Sequence, residues 1–125
     1  MTISEVSKKY NLTQDTIRYY EKIGLLSEIP RNKSGIRNFD EKSCNRIEFI
    51  KCMRAAGMPI ESLLKYMNLM KQGKKTVRER KELLVEQKNV LIEKQKEINC
   101  TIDRLNYKIE LYNEIEEGII KDFTE

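Results

Sequence analysis

The stretch Thr13-Gln14-Asp15-Thr16-Ile17-Arg18-Tyr19-Tyr20-Glu21-Lys22-Ile23-Gly24 decides the fold. Thr13 can cap a helix N-terminus, because its hydroxyl accepts from a free backbone N–H. Gly24 is the residue expected where a helix ends in the left-handed conformation. Projected at 100° per residue, Ile17, Tyr20 and Gly24 fall on one side and Asp15, Arg18, Tyr19 and Lys22 on the other. A short helix with one apolar and one cationic face is therefore expected. Upstream, Thr2 and Glu5 fit a capping box. Ile3, Val6 and Tyr10 follow at helical spacing until Asn11-Leu12 interrupts them. Two short helices joined by a tight turn predict a helix-turn-helix.

Downstream, residues 25–39 change character. Pro30, Asn32, Ser34, Gly35 and Asn38 form turns, flanked by Leu25, Leu26, Ile29, Ile36 and Phe39. This pattern predicts a short β-hairpin, or wing. Asp40 then caps a third helix reaching about Ala56, and Gly57 ends it. Pro59 opens a fourth helix carrying Ile60, Leu63, Leu64 and Met67. Gln72-Gly73 closes it.

The remainder reads as one long helix. Val77, Leu84, Leu91, Ile98, Leu105, Tyr112 and Ile119 recur every seven residues, and Gly and Pro are absent between Gly73 and Gly118. The second heptad position is Lys81, Lys88 and Gln95, then Ile102 and Ile109. The apolar seam is thus narrow first and wide later, as in a coiled coil. Roughly 40 residues span about 60 Å at the helical rise. A lone helix of that length cannot bury its stripe, and an identical subunit is the simplest partner. The pattern does not separate parallel from antiparallel pairing. The expected architecture is all-α with a small β-wing: a winged helix-turn-helix at 1–72, a dimerisation helix at 73–117 and a short tail at 118–125.

Composition agrees with long solvated helices. Of 125 residues, 35% are charged and 39% hydrophobic, and the mean hydropathy is −0.65. The net charge is +4. Residues 1–72 hold 13 Lys and Arg against 8 Asp and Glu, while residues 73–125 hold 11 against 12. The basic excess lies in the N-terminal part, as in a polyanion binder with an assembly element. The chain has no His, which excludes His-based nucleophilic triads and His-ligated zinc. Cys44, Cys52 and Cys100 are odd in number and widely spaced, unlike a secreted disulfide framework. No signal-peptide core and no membrane-length apolar run is read, so a cytoplasmic protein is expected. No cofactor and no metal is expected.

Arg18 can fork onto a guanine edge or a phosphate, Tyr19 can meet a phosphate or a sugar, and Lys22 is a point charge near the backbone. The alternative is that these are ordinary surface charges. The wing shifts the balance, because Arg31, Lys33 and Arg37 cluster within seven residues. A hairpin tip of that kind can sit against phosphates or in a minor groove.

These residues carry a resemblance. The segment Thr13 to Glu21, followed by Ile23-Gly24-Leu25-Leu26, resembles the recognition-helix signature of the MerR family of bacterial transcription regulators. Arg31 to Phe39 resembles that family's wing. Ile47-Glu48-Phe49-Ile50 through Gly57-Met58-Pro59-Ile60 resembles its second helix pair. The resemblance is close over residues 1 to about 70. It implies a dimer joined through an antiparallel coiled coil and bound to a palindromic operator in double-stranded promoter DNA. In that family the effector-bound dimer untwists the duplex and acts on RNA polymerase indirectly, through the promoter. Arg18 and Tyr19 in the signature, and Arg37 in the wing, are carried over as DNA-facing; Thr13 and Thr16 are expected to contact DNA with them. Ile36 and Phe39 stand where the family usually has Tyr.

The resemblance also bears on sensing. Gly118–Glu125 is too short for a drug-binding domain, and the cysteine pattern of the metal- and iron–sulfur-sensing relatives is missing. The context of Cys52 resembles the thiol-dependent, aldehyde-responsive branch. On projection Cys52 lies at the edge of the apolar face, with Lys51 and Arg54 favouring a thiolate and Glu48 opposing it. The alternative for Cys52 is a buried structural thiol; Cys44 and Cys100 are expected to be inert. The expected function is a DNA-binding regulator, acting by promoter distortion and responding to electrophiles. Two alternatives stay open: the same regulator with a non-covalent effector, and a coiled-coil adaptor. A thiol enzyme would lack a base. The heptads predict a species of twice the chain mass in sedimentation at micromolar concentration, and a monomer there would reject the pairing.

Overall fold

The computed structural model describes residues 1–121. Among them lie the helices α1 (Ile3–Tyr10), α2 (Gln14–Ile23), α3 (Glu41–Ala55), α4 (Ile60–Lys71) and α5 (Val77–Glu116), with a 3-10 turn at Gly73–Thr76. The helix starts are built by side chains. Thr2 Oγ1 accepts from the Glu5 amide at 3.2 Å, while Glu5 Oε1 accepts from the Thr2 amide at 3.0 Å. Thr13 Oγ1 accepts from the Thr16 amide at 3.1 Å, and Asp40 Oδ1 from the Ser43 amide at 2.8 Å. Asn11 and Gly24 end α1 and α2 in the left-handed region, at φ 52° and 92°. The Asn11-Leu12 break is therefore a helix cap that also turns the chain into α2.

The chain divides into two compact units, Met1–Leu84 and Val85–Glu125. In the first, α1 to α4 share one core. Val6, Ile17, Leu25, Ile47, Ile50 and Leu63 are fully buried. Each helix contributes residues three or four apart, the spacing that lines one helical face. Ile17 and Tyr20 point inward while Arg18, Tyr19 and Lys22 are exposed, the division expected from the projection.

The expected hairpin over residues 25–39 needs correction. Among the described residues its only strand pairing is one antiparallel bridge, Arg31 to Arg37. The flanks are drawn elsewhere. Leu25, Leu26, Ile29 and Phe39 are buried in the core, and the Phe39 amide donates to the Met1 carbonyl at 2.8 Å. With its flanks packed inward, the ladder has no length to grow.

The long helix also starts later than expected. Gly73 has φ 79°, and the Thr76 hydroxyl lies 2.5 Å from the Leu69 carbonyl and 3.0 Å from that of Gly73. Arg80 donates to the Thr76 hydroxyl and the Gly73 carbonyl, both at 3.2 Å. These bonds satisfy carbonyls at the end of α4 and hold the 3-10 turn.

In the second unit the helix shows an apolar surface to solvent. Ile98, Ile102, Leu105, Ile109 and Tyr112 are each between 44% and 59% exposed. Of the other expected interface residues, Val77 is exposed and Leu84 and Leu91 are half-buried. Gly118 ends this segment at φ 76°, with the Ile119 amide donating to Glu114 at 2.9 Å. Within the expected tail 118–125, residues 122–125 lie outside the described residues. Among the described residues no helix is long and apolar enough to cross a membrane.

The cap on α3 makes stability depend on pH. The Ser43 amide holds the Asp40 carboxyl below its ordinary 3.8. A lowered folded value stabilises the fold fully above the unfolded value, and this contribution is lost as pH falls through the lower folded value. Asn caps as well as Asp but does not titrate. Thermal melts of Asp40→Asn are expected to match the native chain near neutrality and to fall less steeply with acid below about pH 4.

Candidate nucleic-acid interface

The cationic residues singled out from the sequence lie on α2 and on the loop that holds the Arg31–Arg37 bridge. On α2, Arg18 is held along the helix surface. Its guanidinium donates to Asp15 Oδ1 at 3.1 Å and Gln14 Oε1 at 3.2 Å. The pair is exposed, so solvent screens it and it does not fix the arginine strongly. Tyr19 is 47% exposed, with its ring 6.2 Å from that of buried Tyr20. The Thr13 and Thr16 hydroxyls lie 2.7 Å from each other, so they already satisfy part of one another's bonding. Lys22 is exposed.

The wing is organised by a residue that the sequence reading treated only as a turn former. Asn32 Oδ1 accepts from the amides of Ser34 at 2.9 Å and Ile36 at 3.0 Å. The Asn32 amide donates to the Ile36 carbonyl at 2.8 Å, and the Gly35 amide returns to the Asn32 carbonyl at 2.9 Å. Gly35 has φ 78°, which a Cβ would strain. Lys33 and Ile36 are exposed at this tip.

Glu21 was also missed as a contact. From α2 its Oε1 accepts from Arg37 Nε at 2.8 Å and lies 3.7 Å from a guanidinium nitrogen of Arg31. Arg31 also donates to the Gly35 carbonyl at 3.2 Å. One carboxylate thus joins the helix to both arginines of the bridge. Local periodicity carries no signal for this contact, which spans 16 positions. By contrast, Lys22 and Lys33 form no ion pair among the described residues. The result is a cationic surface made of one helix face and one loop. Among the described residues Lys22 and Lys33 are without an ion pair, Arg31 and Arg37 are pre-set by Glu21, and Arg18 is held only weakly along its own helix.

The expected sensing thiol lies on α3. Cys52 is exposed, whereas Cys44 is buried, with its Sγ 3.9 Å from Met1 Sδ. Arg54 donates to the Met58 carbonyl at 2.9 Å, which commits that cation to the α3–α4 turn. Cys100 is exposed on α5. Among the described residues no group of Cys, Asp and Glu is arranged to hold a metal ion.

The family model described as MerR HTH family regulatory protein matches residues 1–70. The chain belongs to the MerR family. The HTH-type transcriptional regulator AdhR of Bacillus subtilis is 49% identical over 93 residues, 74% of this chain and 66% of AdhR. The match thus covers just under two thirds of that relative's length. A crystal structure from Listeria monocytogenes, assigned to the MerR family of transcriptional regulators, is 41% identical at a TM-score of 0.87. It covers 90% of this chain and 86% of that one. HiNmlR, a MerR family regulator lacking the sensor domain and solved bound to promoter DNA, is 25% identical at a TM-score of 0.84. The coverage is 93% and 92%. These MerR relatives are transcription regulators rather than enzymes.

The hydrogen bonds of Asn32 give the wing a test of its own. In Asn32→Ala the amides of Ser34 and Ile36 lose their acceptor. Their hydrogen exchange, read by NMR, is expected to accelerate while the α1–α4 core amides keep native protection.

Proposed function

We propose that the chain regulates transcription by binding and distorting double-stranded promoter DNA as a homodimer, and that Cys52 senses reactive aldehydes and related electrophiles. The observation that carries the DNA reading is the Glu21 contact, which sets the cationic face of α2 beside the cationic wing. A recognition helix with a basic flanking loop is suited to a groove and its neighbouring phosphates. The likeness to HiNmlR, solved bound to promoter DNA, supports the same reading.

In this reading residues 1–72 form the DNA-binding part. Arg18 and Tyr19 read base edges or phosphates, Thr13 and Thr16 lie at the start of the recognition helix, and Lys22, Arg31, Lys33 and Arg37 contact the backbone. Residues 73–117 form the dimerisation helix, pairing antiparallel through Val77, Leu84, Leu91, Ile98, Ile102, Leu105, Ile109 and Tyr112. The exposure of Ile98, Ile102, Leu105, Ile109 and Tyr112 in the single chain supports a partner, because an apolar stripe left in water is unfavourable. The dimer acts on RNA polymerase only through the shape of the promoter.

Exposure of Cys52 supports the sensing role, since a buried thiol is closed to solutes. The thiol adds across an aldehyde carbonyl. The S–C bond forms, the carbonyl π pair moves to oxygen, and that oxygen takes up the proton, so no oxidant is needed. A second reading, a non-covalent effector, is favoured by a groove of about 550 Å³ lined by Phe49, Tyr66, Met67 and Met70 with Asp40 and Arg46.

Gel-shift titrations across a salt series test the DNA reading. Affinity should fall steeply with salt, and a chain that retards no duplex at low ionic strength would refute the reading. The thiol is tested separately. Cys52→Ser is expected to bind DNA like the native chain but to lose activation by formaldehyde or methylglyoxal in a reporter strain. Full activation of that variant would favour the non-covalent effector.

A further inference from the structure

We infer that Glu21 is a specificity-determining positioning residue: its carboxylate restrains the wing arginines Arg31 and Arg37, so that they reach phosphate only from the register set by α2. The inference rests on the DNA-binding reading above.

The bridge itself presents the problem that Glu21 solves. Arg31 and Arg37 are paired directly across it, and like charges in that position destabilise a strand pair. Glu21 lies between them, 2.8 Å from Arg37 and 3.7 Å from Arg31. Its side chain is 20% exposed and that of Arg37 25%. Partly buried charges are screened less by salt than exposed ones. This contact therefore outweighs the exposed Arg18–Asp15 pair, whose aspartate side chain is 96% exposed.

A carboxylate and a phosphate offer the same kind of acceptor to a guanidinium. Glu21 therefore competes with DNA for both arginines, and it does so from the helix expected to read bases. With the carboxylate in place, wing contact and helix placement occur together. Without it, the wing can grip phosphate in any register, including registers in which α2 meets the wrong bases. Removing the charge thus helps binding to arbitrary sequence more than binding to a matched site. Lys22 and Lys33 lack such a restraint and supply attraction that is independent of register.

The test uses the full chain with two duplexes of equal length: one that the native protein selects from a random-sequence pool, and one unselected. Glu21→Gln keeps the shape of the side chain and removes its charge. Affinity for the unselected duplex is expected to rise about three- to tenfold, and its salt slope to steepen by about one per protomer. Affinity for the selected duplex should change by less than about twofold, so the ratio between the two falls. A purely structural role would instead lower both affinities together and leave the slope unsteepened, which overturns the inference. Native ratio and slope in a variant that melts like the native chain overturn it as well. If Glu21→Gln does not fold, Glu21→Asp is read the same way. Its carboxylate is drawn back by about one C–C bond (~1.5 Å), so both readouts should move in the same direction by less, and native values refute the inference. A native chain that selects and retards no duplex refutes the DNA-binding reading and this inference with it. A native chain that binds while its variants do not differ refutes this inference alone.

Discussion

Helix α2 has to pack and present at once, and the first unit is arranged around that constraint. Its ten residues bury Ile17 and Tyr20 while Arg18, Tyr19 and Lys22 stay in water. The helical period permits both, because neighbouring residues lie about 100° apart around the axis. Thr13 sets the start through its bond to the Thr16 amide, and Gly24 sets the stop. These caps satisfy backbone groups at the two ends, while the separation of the two faces is set by the helical period itself.

The wing inherits its position from α2 rather than from a sheet. A single bridge has little stability of its own, since even a complete isolated hairpin is marginal in water. Three attachments replace the missing ladder. Ile29 and Phe39 are buried in the core, Asn32 closes the tip, and Glu21 joins the bridge to the helix. Two of these are polar, the Asn32 bonds within the tip and the Glu21 contact across 16 positions.

Much of the first unit was legible because its signals are local. The capping box at Thr2 and Glu5, the caps at Thr13 and Asp40 and the stop at Gly24 each involve residues a few positions apart. The inward and outward faces of α2 follow from periodicity alone. The wing was over-read. Its turn formers were recognised, but the flanking Leu25, Leu26, Ile29 and Phe39 were free in the sequence to be strand or core, and packing decided for core. The delayed start of α5 depends on Thr76 reaching back to Leu69, a contact set by how α4 ends. The Glu21 contact was illegible for a different reason. Glu21 lies 10 and 16 positions from Arg31 and Arg37, so the carboxylate meets them only once the chain has folded.

The two α3 cysteines show why position on a helix matters more than residue type for reactivity. Cys44 and Cys52 are eight residues apart, about 80° around the helix axis after full turns are removed. That rotation carries one thiol into the core and leaves the other in solvent. Attack on a carbonyl needs thiolate and access together. Cys44 lacks access, whatever its ionisation. Cys52 has access, and the nearby Arg54 is bonded to the Met58 carbonyl. In the proposed sensing role its reactivity would rest on that exposure. Adding a carbonyl there would place new bulk three residues before the Ala55 end of α3. The bond that Arg54 makes closes the turn beyond that end.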